Sequence, residues 1–178
     1  MLKIFTTQLN GIFKNITEDE FIIEDAARLL AQAAISDGGI YIHGFKEMQG
    51  VLSQAIEGDE AIPHCKPLFV NNRLVSLSPV DRVILVSRHS HDEDALQLAH
   101  QLINEQIPFI ALSSIVDSQQ EGLQTLADLH IDLKLKRGLV PTETGERIGY
   151  PALLIALYVL YAINLTLIEL LNELHEEE

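Results

Sequence analysis

The sequence predicts an α/β fold built on a parallel sheet, and three features of residues 81–114 carry that prediction. Arg82 to Val86 is a short apolar run rich in β-branched residues, which is typical of a buried strand. Glu93 to Glu105 repeats apolar residues at helical spacing, and Pro108 to Leu112 is a second apolar run. A strand, a helix and a strand in this order form a βαβ unit, whose two strands lie parallel and side by side.

The composition indicates one domain in a reducing compartment. The chain has 178 residues, of which 47% are hydrophobic, so residues 1–178 are predicted to form a single domain. Cys65 is the only cysteine, which excludes a disulfide within the chain and favours a cytoplasmic location. The formal net charge of −14 repels phosphate backbones and argues against nucleic-acid binding.

The first quarter of the chain predicts two helices and a strand. Residues 1–16 place their apolar side chains on one stripe, which predicts an amphipathic helix packed on the domain or on a second subunit. Thr17 to Glu20 has the spacing of a capping box, so a second helix should begin there. It should end at Asp37-Gly38-Gly39, and Ile40 to His43 is then the first strand.

Four further elements complete the predicted order of helices and strands. Lys46 to Ile56 is predicted as a helix, and Leu68 to Val70 as the second strand. Beyond the βαβ unit we expect a short helix at Gln119 to Ala127 and a fifth strand at Ile131 to Leu135. Alternation of apolar and polar residues in that last strand indicates an edge strand with one face in water.

The run from Pro151 to Ile168 contains no charged residue and approaches the length that spans a bilayer. A membrane helix is therefore an alternative. Its flanks lack the basic cluster that sets orientation, and Asn164 and Thr166 lie within the run. We therefore predict a long buried helix over residues 150–174 and no membrane contact.

Polar side chains follow both strands of the βαβ unit, at the edge where ligands of open α/β sheets bind. Ser87, Arg88, His89, Ser90 and His91 follow one strand, and Ser113 and Ser114 follow the next.

These residues resemble the sugar isomerase (SIS) family. The third strand of that family typically ends in S-x-S-G-x-S/T before a helix, the fourth in Thr-Ser or Ser-Ser, and G-x-G-x-S follows the first. Ser87 stands at the first of these serines, Ser113-Ser114 matches the pair, and Gly44 is the first glycine. The chain departs from the family at Arg88 to Asp92 and at Phe45 to Met48, where glycines and hydroxyls are replaced.

The resemblance implies a three-layer sandwich with a five-stranded parallel sheet in the order 2-1-3-4-5, as in SIS and flavodoxin-like sheets. In that order the first and third strands are neighbours, and a crevice opens between their following helices. Gly44 to Met48 and Ser87 to Asp92 would form its two walls. The family further implies a homodimer or larger assembly, here through the first and last helices.

The resemblance also implies a ligand, namely a phosphorylated sugar or related small metabolite. An aldose-ketose isomerase of the phosphoheptose type is the enzymatic hypothesis, because the chain is a single SIS-like domain. A non-catalytic sugar-phosphate sensor is the alternative, because the replaced positions are those that contact ligand. A scaffold without a small ligand is the third hypothesis.

The turn from Ser87 to Glu93 admits two interpretations. In the first, serine hydroxyls, backbone amides and Arg88 hold an anion at the amino end of the Glu93 helix. In the second, Ser90 to Glu93 is another capping box, and its acidic side chains already balance the helix dipole.

Candidate site residues follow from these positions. Thr142, Glu143 and Thr144 are candidates because they lie in the irregular segment Lys136 to Gly149, and the corresponding segment of SIS domains borders the ligand pocket. The candidate ligand-binding residues are Gly44, Phe45, Lys46, Ser87, Arg88, His89, Ser90, Ser113, Ser114, Thr142 and Thr144. Isomerisation needs a base and an acid, for which the candidates are Glu47, His89, His91 and Glu143.

A metal site is the remaining alternative, because His89-x-His91 with Asp92 beside it offers ligands close together. Phosphoheptose isomerases take zinc ligands from the helix after the first strand and from a late helix. Residues 46–56 contain no histidine, so that pattern is not reproduced. We predict no metal and no other cofactor.

Overall fold

The computed structural model describes residues 1–176, which form one five-stranded parallel sheet between two layers of helices. The last two residues of the predicted domain, 177 and 178, lie outside the described part. The helices are α1 (Leu2–Thr17), α2 (Glu20–Ala34), α3 (Gly50–Glu57), α4 (Glu93–Asn104), α5 (Leu123–Leu126) and α6 (Ala152–Glu176), with a 3₁₀ helix at Lys46–Gln49. The strands are β1 (Ile40–Gly44), β2 (Cys65–Pro67), β3 (Phe69–Val70), β4 (Arg73–Leu74), β5 (Arg82–His89), β6 (Phe109–Ser114), β7 (Leu129–Asp132), β8 (Val140–Pro141) and β9 (Arg147–Ile148).

The sheet order is β2-β1-β5-β6-β7, and every neighbouring pair is parallel. When only the five strands of this sheet are numbered along the chain, their order is 2-1-3-4-5. The predicted fold class is therefore confirmed. The register places Gly44 opposite Val86 and His89 opposite Ser114. The carboxyl ends of β1, β5 and β6 therefore meet at one edge.

Two apolar cores cover the two faces of the sheet. On one face, Ile42, Ile84 and Ile110 pack with α1, α2, α3 and α6. On the other face, Leu85 and Phe109 pack with α4, α5 and the β3–β4 hairpin. Because both faces are covered, the central strands consist of nearly continuous apolar runs, as buried parallel strands do.

Helix α6 packs one side against the sheet and leaves another side exposed. Ile155, Val159 and Ile163 are buried, and the Asn164 amide donates a hydrogen bond of 2.9 Å to the Glu60 carbonyl oxygen. Among the described residues, one helical stretch, Ala152–Leu174, is long and apolar enough to cross a membrane, and 39% of its most apolar window is buried. This is weak evidence for a span, because core helices of soluble proteins pass the same test.

The predicted second strand at Leu68–Val70 was wrong. β2 is Cys65–Pro67, and Phe69–Val70 instead pairs antiparallel with Arg73–Leu74. Asn71 and Asn72 both have positive φ, and two such residues form the tight turn that closes this hairpin.

The two strands of the βαβ unit are longer than predicted. The strand predicted over Arg82–Val86 is Arg82–His89, and the strand predicted over Pro108–Leu112 is Phe109–Ser114. Ser87 to His89 and Ser113-Ser114 therefore end these strands rather than follow them.

Other predicted boundaries also differ from the structure. The helix predicted over Lys46–Ile56 is divided at Gly50 into the 3₁₀ helix and α3. The helix predicted over Gln119–Ala127 is only Leu123–Leu126. The last strand lies earlier than Ile131–Leu135, because Lys134 has a φ of 58° and ends extended pairing.

Neither predicted capping box forms. The Thr17 hydroxyl donates back to carbonyl oxygens of α1, at Phe13 and Lys14, and α2 begins at Glu20 without a side-chain cap. At α4 the cap position is Asp92, and the Ser90 hydroxyl has no hydrogen-bond partner in the part of the chain that the structure describes.

Candidate functional site

The turns that follow β1 and β5 are in direct contact. The Phe45 amide donates a hydrogen bond of 2.9 Å to the Val86 carbonyl oxygen, which extends the β1–β5 pairing into the first turn. A Cβ at Gly44 would overlap the Met48 carbonyl group, so only glycine permits this close return of the backbone. Lys46, which follows, has a φ of 53° and an exposed side chain.

An ion pair joins the 3₁₀ helix that follows β1 to the last residues of β5. Arg88 donates two hydrogen bonds to Glu47, at 2.6 Å from Nε to Oε1 and 2.7 Å from Nη2 to Oε2. These bonds hold the pKa of Glu47 below its ordinary value, although burial opposes the shift. Glu47, the candidate base, and Arg88, the candidate residue for holding a ligand anion, are therefore bonded to each other.

The turn after β5 contains a carboxylate of its own. Asp92 Oδ2 accepts hydrogen bonds from the Ser87 hydroxyl at 2.6 Å and from the His89 amide at 3.3 Å. Burial alone would raise the pKa of Asp92, but these hydrogen bonds outweigh it and lower the pKa. The Ser87 hydroxyl and the His89 amide therefore already bind the Asp92 carboxylate. Neither interpretation of the segment from Ser87 to Glu93 included these two hydrogen bonds.

His89, the last residue of β5, contacts Tyr150, which lies two residues before the start of α6. His89 Nε2 lies 3.0 Å from the Tyr150 hydroxyl, which donates a hydrogen bond of 2.8 Å to the Leu135 carbonyl oxygen. His89 Nδ1 lies 3.7 Å from Asp92 Oδ1. Because the phenol proton goes to Leu135, Nε2 must carry the proton that binds Tyr150.

The pKa values of this group follow from burial. Burial lowers the pKa of His89, with Asp92 partly offsetting it, so the imidazole is neutral near pH 7. Burial also raises the pKa of Tyr150, which keeps the phenol protonated; the nearby Ser114 hydroxyl opposes this rise in part, although it does not reach hydrogen-bond geometry. A neutral imidazole hydrogen-bonded to a phenol can pass a proton between two ligand atoms.

Tyr150 was missed from the sequence. It belongs to no SIS motif that the chain preserves, and it follows the irregular segment as its next residue. Its position at the junction of that segment with a long helix was the available signal.

Three polar groups at this edge have no hydrogen-bond partner among residues 1–176, namely the Ser90 hydroxyl, the Ser114 hydroxyl and His91 Nδ1. Both serines are 0% exposed, and the Ser90 amide donates to the Ser114 carbonyl oxygen. The His91 ring stacks on His89, with centroids 5.5 Å apart. Buried polar groups usually have partners, so these three are the groups at this edge that remain free to bind a ligand atom or a water within the described chain.

The remaining candidates lie apart from this group or have other partners. Ser113 Oγ lies 2.7 Å from His130 Nε2, which engages the hydroxyl. Thr142 bonds to Thr144 Oγ1 and to the Glu146 carbonyl oxygen within the β8–β9 loop. Within the described chain, no hydrogen bond or ion pair joins the segment 142–144 to the turn after β5.

Over residues 1–176, no three histidine, cysteine, aspartate or glutamate side chains are grouped so as to hold a metal ion. The His89–His91 pair is instead a ring stack beside Asp92.

The sheet order agrees with the sugar isomerase (SIS) class of α/β domains, and likeness to solved structures over nearly the whole chain shows that this is the fold. A Methanococcus jannaschii protein, MJ1247, with an inferred function of 3-hexulose-6-phosphate isomerase, is 17% identical with a TM-score of 0.64, over 98% of this chain and 90% of that one. The Vibrio vulnificus NanR protein complexed with ManNAc-6P is 14% identical with a TM-score of 0.68, over 98% of this chain and 64% of that one. At these identities the likeness shows the fold.

Within that class, the chain belongs to the family described as a domain of unknown function, DUF2529, whose model matches residues 1–171. A relative from Bacillus subtilis (strain 168), described as uncharacterized protein YwjG, is 43% identical over 174 residues, which cover 97% of this chain and 99% of the relative.

Proposed function

We propose that a crevice bordered by the turns after β1 and β5 binds a phosphorylated sugar, with Arg88 as the main residue that holds the phosphate. The observation that carries this proposal is a guanidinium at a sheet edge with two buried serine hydroxyls, Ser90 after β5 and Ser114 at the end of β6, neither of which has a hydrogen-bond partner within residues 1–176. The structural neighbour complexed with ManNAc-6P and the neighbour with an inferred hexulose-phosphate isomerase function support the same ligand class.

Binding would exchange one anion for another on Arg88. A phosphate accepts the same two-pronged hydrogen bonding from a guanidinium as a carboxylate does. The Arg88 and Glu47 side chains are 39% and 40% exposed, and ion pairs at such positions contribute about 0–1 kcal/mol, so a ligand displaces Glu47 at little cost. Lys46 adds a second exposed cation on the opposite turn.

The position of the phosphate is restricted by Asp92. Ser87 and the His89 amide already donate to this carboxylate, and Glu93 and Asp94 follow in the first turn of α4. Three negative charges there repel a phosphate despite the helix dipole. The phosphate is therefore expected beside Arg88 and Lys46 rather than on the amino end of α4.

Calorimetric titration with a panel of phosphosugars tests this proposal. Arg88→Ala should weaken binding at least about tenfold, and Arg88→Lys should restore part of it, because it keeps the charge and loses the two-pronged geometry. Arg28→Ala is the matched control, since it removes another ion-paired surface arginine on α2. Equal affinity of Arg88→Ala and the unaltered protein would reject the site.

An aldose-ketose isomerase of the phosphoheptose type is the second candidate, and the His89–Tyr150 hydrogen bond favours it. Phosphate binding to Arg88 would release Glu47. The Glu47 carboxylate could then remove the proton from the carbon beside the carbonyl, forming an enediol, and return it to the neighbouring carbon. His89 and Tyr150 would move the second proton between the two oxygens.

Solvent deuterium uptake separates the isomerase from the sensor. An isomerase should introduce deuterium at the carbon beside the carbonyl of a bound phosphosugar. Binding without uptake across the panel would reject the isomerase and leave the non-catalytic sensor.

We also propose that the protein is cytoplasmic and forms a homodimer or larger assembly through α1 and α6. Leu154, Tyr161 and Leu165 lie exposed along α6, and Leu2 and Ile4 are exposed on α1. Light scattering should give a multiple of the chain mass, and Leu165→Glu should reduce it. Val70→Glu, an exposed apolar position on the β3–β4 hairpin, is the control and should not.

A further inference from the structure

We propose a second small-molecule site, in a cavity of about 330 Å³ beside β1, which takes an uncharged monosaccharide. The cavity is lined by His43, Gln49, Leu52, Phe69 and Asn72. None of these residues belongs to the Arg88 crevice, so this site is independent of the function proposed above.

The cavity lies at the ligand-binding edge of the sheet. β2 pairs with β1 only from Ile40 to Ile42, and the Leu68 amide makes a final bond to the Ile42 carbonyl oxygen. Beyond this point the carboxyl end of β1 has no strand on that side, and the β3–β4 hairpin supplies the outer wall. A cavity of this volume at the carboxyl end of a parallel strand has the size and position of a small-molecule site.

The lining is polar without being charged. His43, Gln49 and Asn72 each offer both a donor and an acceptor, and no hydrogen bond from these side chains is present within residues 1–176. Burial lowers the pKa of His43, which keeps its ring neutral at pH 7. An ionic ligand would find no countercharge here, whereas hydroxyl groups would find three partners.

The aromatic side of the cavity suits the apolar face of a sugar ring. The His43 and Phe69 rings have centroids 4.7 Å apart at 54°, and Phe45 lies edge-on to His43 at the same distance. This packing fixes His43 and Phe69 and leaves a rigid apolar surface beside the amides of Gln49 and Asn72. A ligand with C–H groups on one face and hydroxyls at its rim matches both.

Saturation-transfer NMR on the full chain with glucose, mannose, N-acetylglucosamine and adenosine tests the proposal. At least one uncharged sugar should bind at millimolar concentration, and Asn72→Gly should weaken it about fivefold through one lost hydrogen bond. Asn71→Gly is the matched control, since both positions have positive φ and Asn71 does not line the cavity. Gln49→Ala should repeat the effect of Asn72→Gly.

Arg88→Ala distinguishes the two sites, because it should leave this binding unchanged. The proposal is overturned if no sugar binds, if only adenosine binds, or if Asn71→Gly weakens binding as much as Asn72→Gly. If Arg88→Ala loses sugar binding while Asn72→Gly and Gln49→Ala keep it, the proposal is also overturned, because the sugar would then bind in the Arg88 crevice.

Discussion

The guanidinium of Arg88 and the carboxylate of Glu47 form a two-pronged ion pair across the crevice, with N–O distances of 2.6 and 2.7 Å. The pair joins the segment after β1 to the end of β5, so Glu47 occupies the guanidinium to which a phosphosugar is proposed to bind. A ligand anion and Glu47 compete for one guanidinium.

Glu47→Gln should therefore tighten the binding of phosphosugars by about 3- to 10-fold, because the amide competes less well than a carboxylate for Arg88. The same change should abolish any solvent deuterium uptake, since the base is lost. Calorimetry and deuterium uptake measure the two effects. Glu57→Gln, an exposed carboxylate at the end of α3, should change neither, and weaker binding by Glu47→Gln would contradict the competition.

Tyr150→Phe should destabilise the protein by about 1–2 kcal/mol in urea unfolding, because the hydroxyl bridges His89 and the Leu135 carbonyl oxygen. If the protein is an isomerase, deuterium uptake should also fall by about 100-fold. Tyr161→Phe on the exposed side of α6 is the control for stability. A stable Tyr150→Phe protein with full uptake would remove Tyr150 from the site.

Two glycines should respond to alanine in opposite directions. Gly44→Ala should destabilise by about 3 kcal/mol or more, because the new Cβ meets the Met48 carbonyl group. Gly11→Ala, in the middle of α1 with open space around it, should stabilise by about 0.5–1 kcal/mol. Thermal unfolding of both variants measures the difference, and a loss of similar size at both positions would argue against the tight return at Gly44.

Acid should weaken the fold through His130. Burial lowers the pKa of this imidazole to about 4, with Asp132 partly opposing the shift and Lys134 adding to it. The folded pKa lies below the unfolded value of 6.5, so the unfolded chain takes up the proton first as pH falls. The contribution of His130 to the free energy of unfolding is therefore complete above about pH 6.5. It falls by on the order of 3 kcal/mol as the pH approaches about 4.

Urea unfolding between about pH 4 and pH 7 measures this decline. His130→Gln should flatten the curve relative to the unaltered protein, because glutamine has no charge to gain. His100→Gln, at an exposed position of α4, should keep the original slope. The assignment to His130 fails if both variants behave alike.

The central βαβ unit and the meeting of the two turns were predictable from the sequence. The βαβ unit follows from local patterns, namely the apolar runs at β5 and β6 and the helical spacing of α4. The meeting of the two turns was implied by the sheet order of the SIS domains that the sequence resembles. Parallel strands joined by a crossover helix then leave little freedom in how their carboxyl ends align.

The chemistry of the crevice was not predictable in the same way. Asp92 accepts from Ser87, Arg88 binds Glu47, and Tyr150 reaches His89 across 61 positions. Each is one of several partners that a polar side chain could bind, and sequence spacing does not show which partner is bound. The last two contacts also join residues far apart in the chain. The strand β2 was misplaced for a related reason, since Cys65 to Pro67 contains too few apolar residues to stand out from a loop.

The Asp92 carboxylate also determines how the turn after β5 behaves in solution without any small molecule. Because the Asp92 carboxylate accepts hydrogen bonds from the Ser87 hydroxyl and the His89 amide, that segment needs no bound ligand to keep its conformation. Recognition there would act on a rigid, preformed surface, and little ordering entropy would be lost on association.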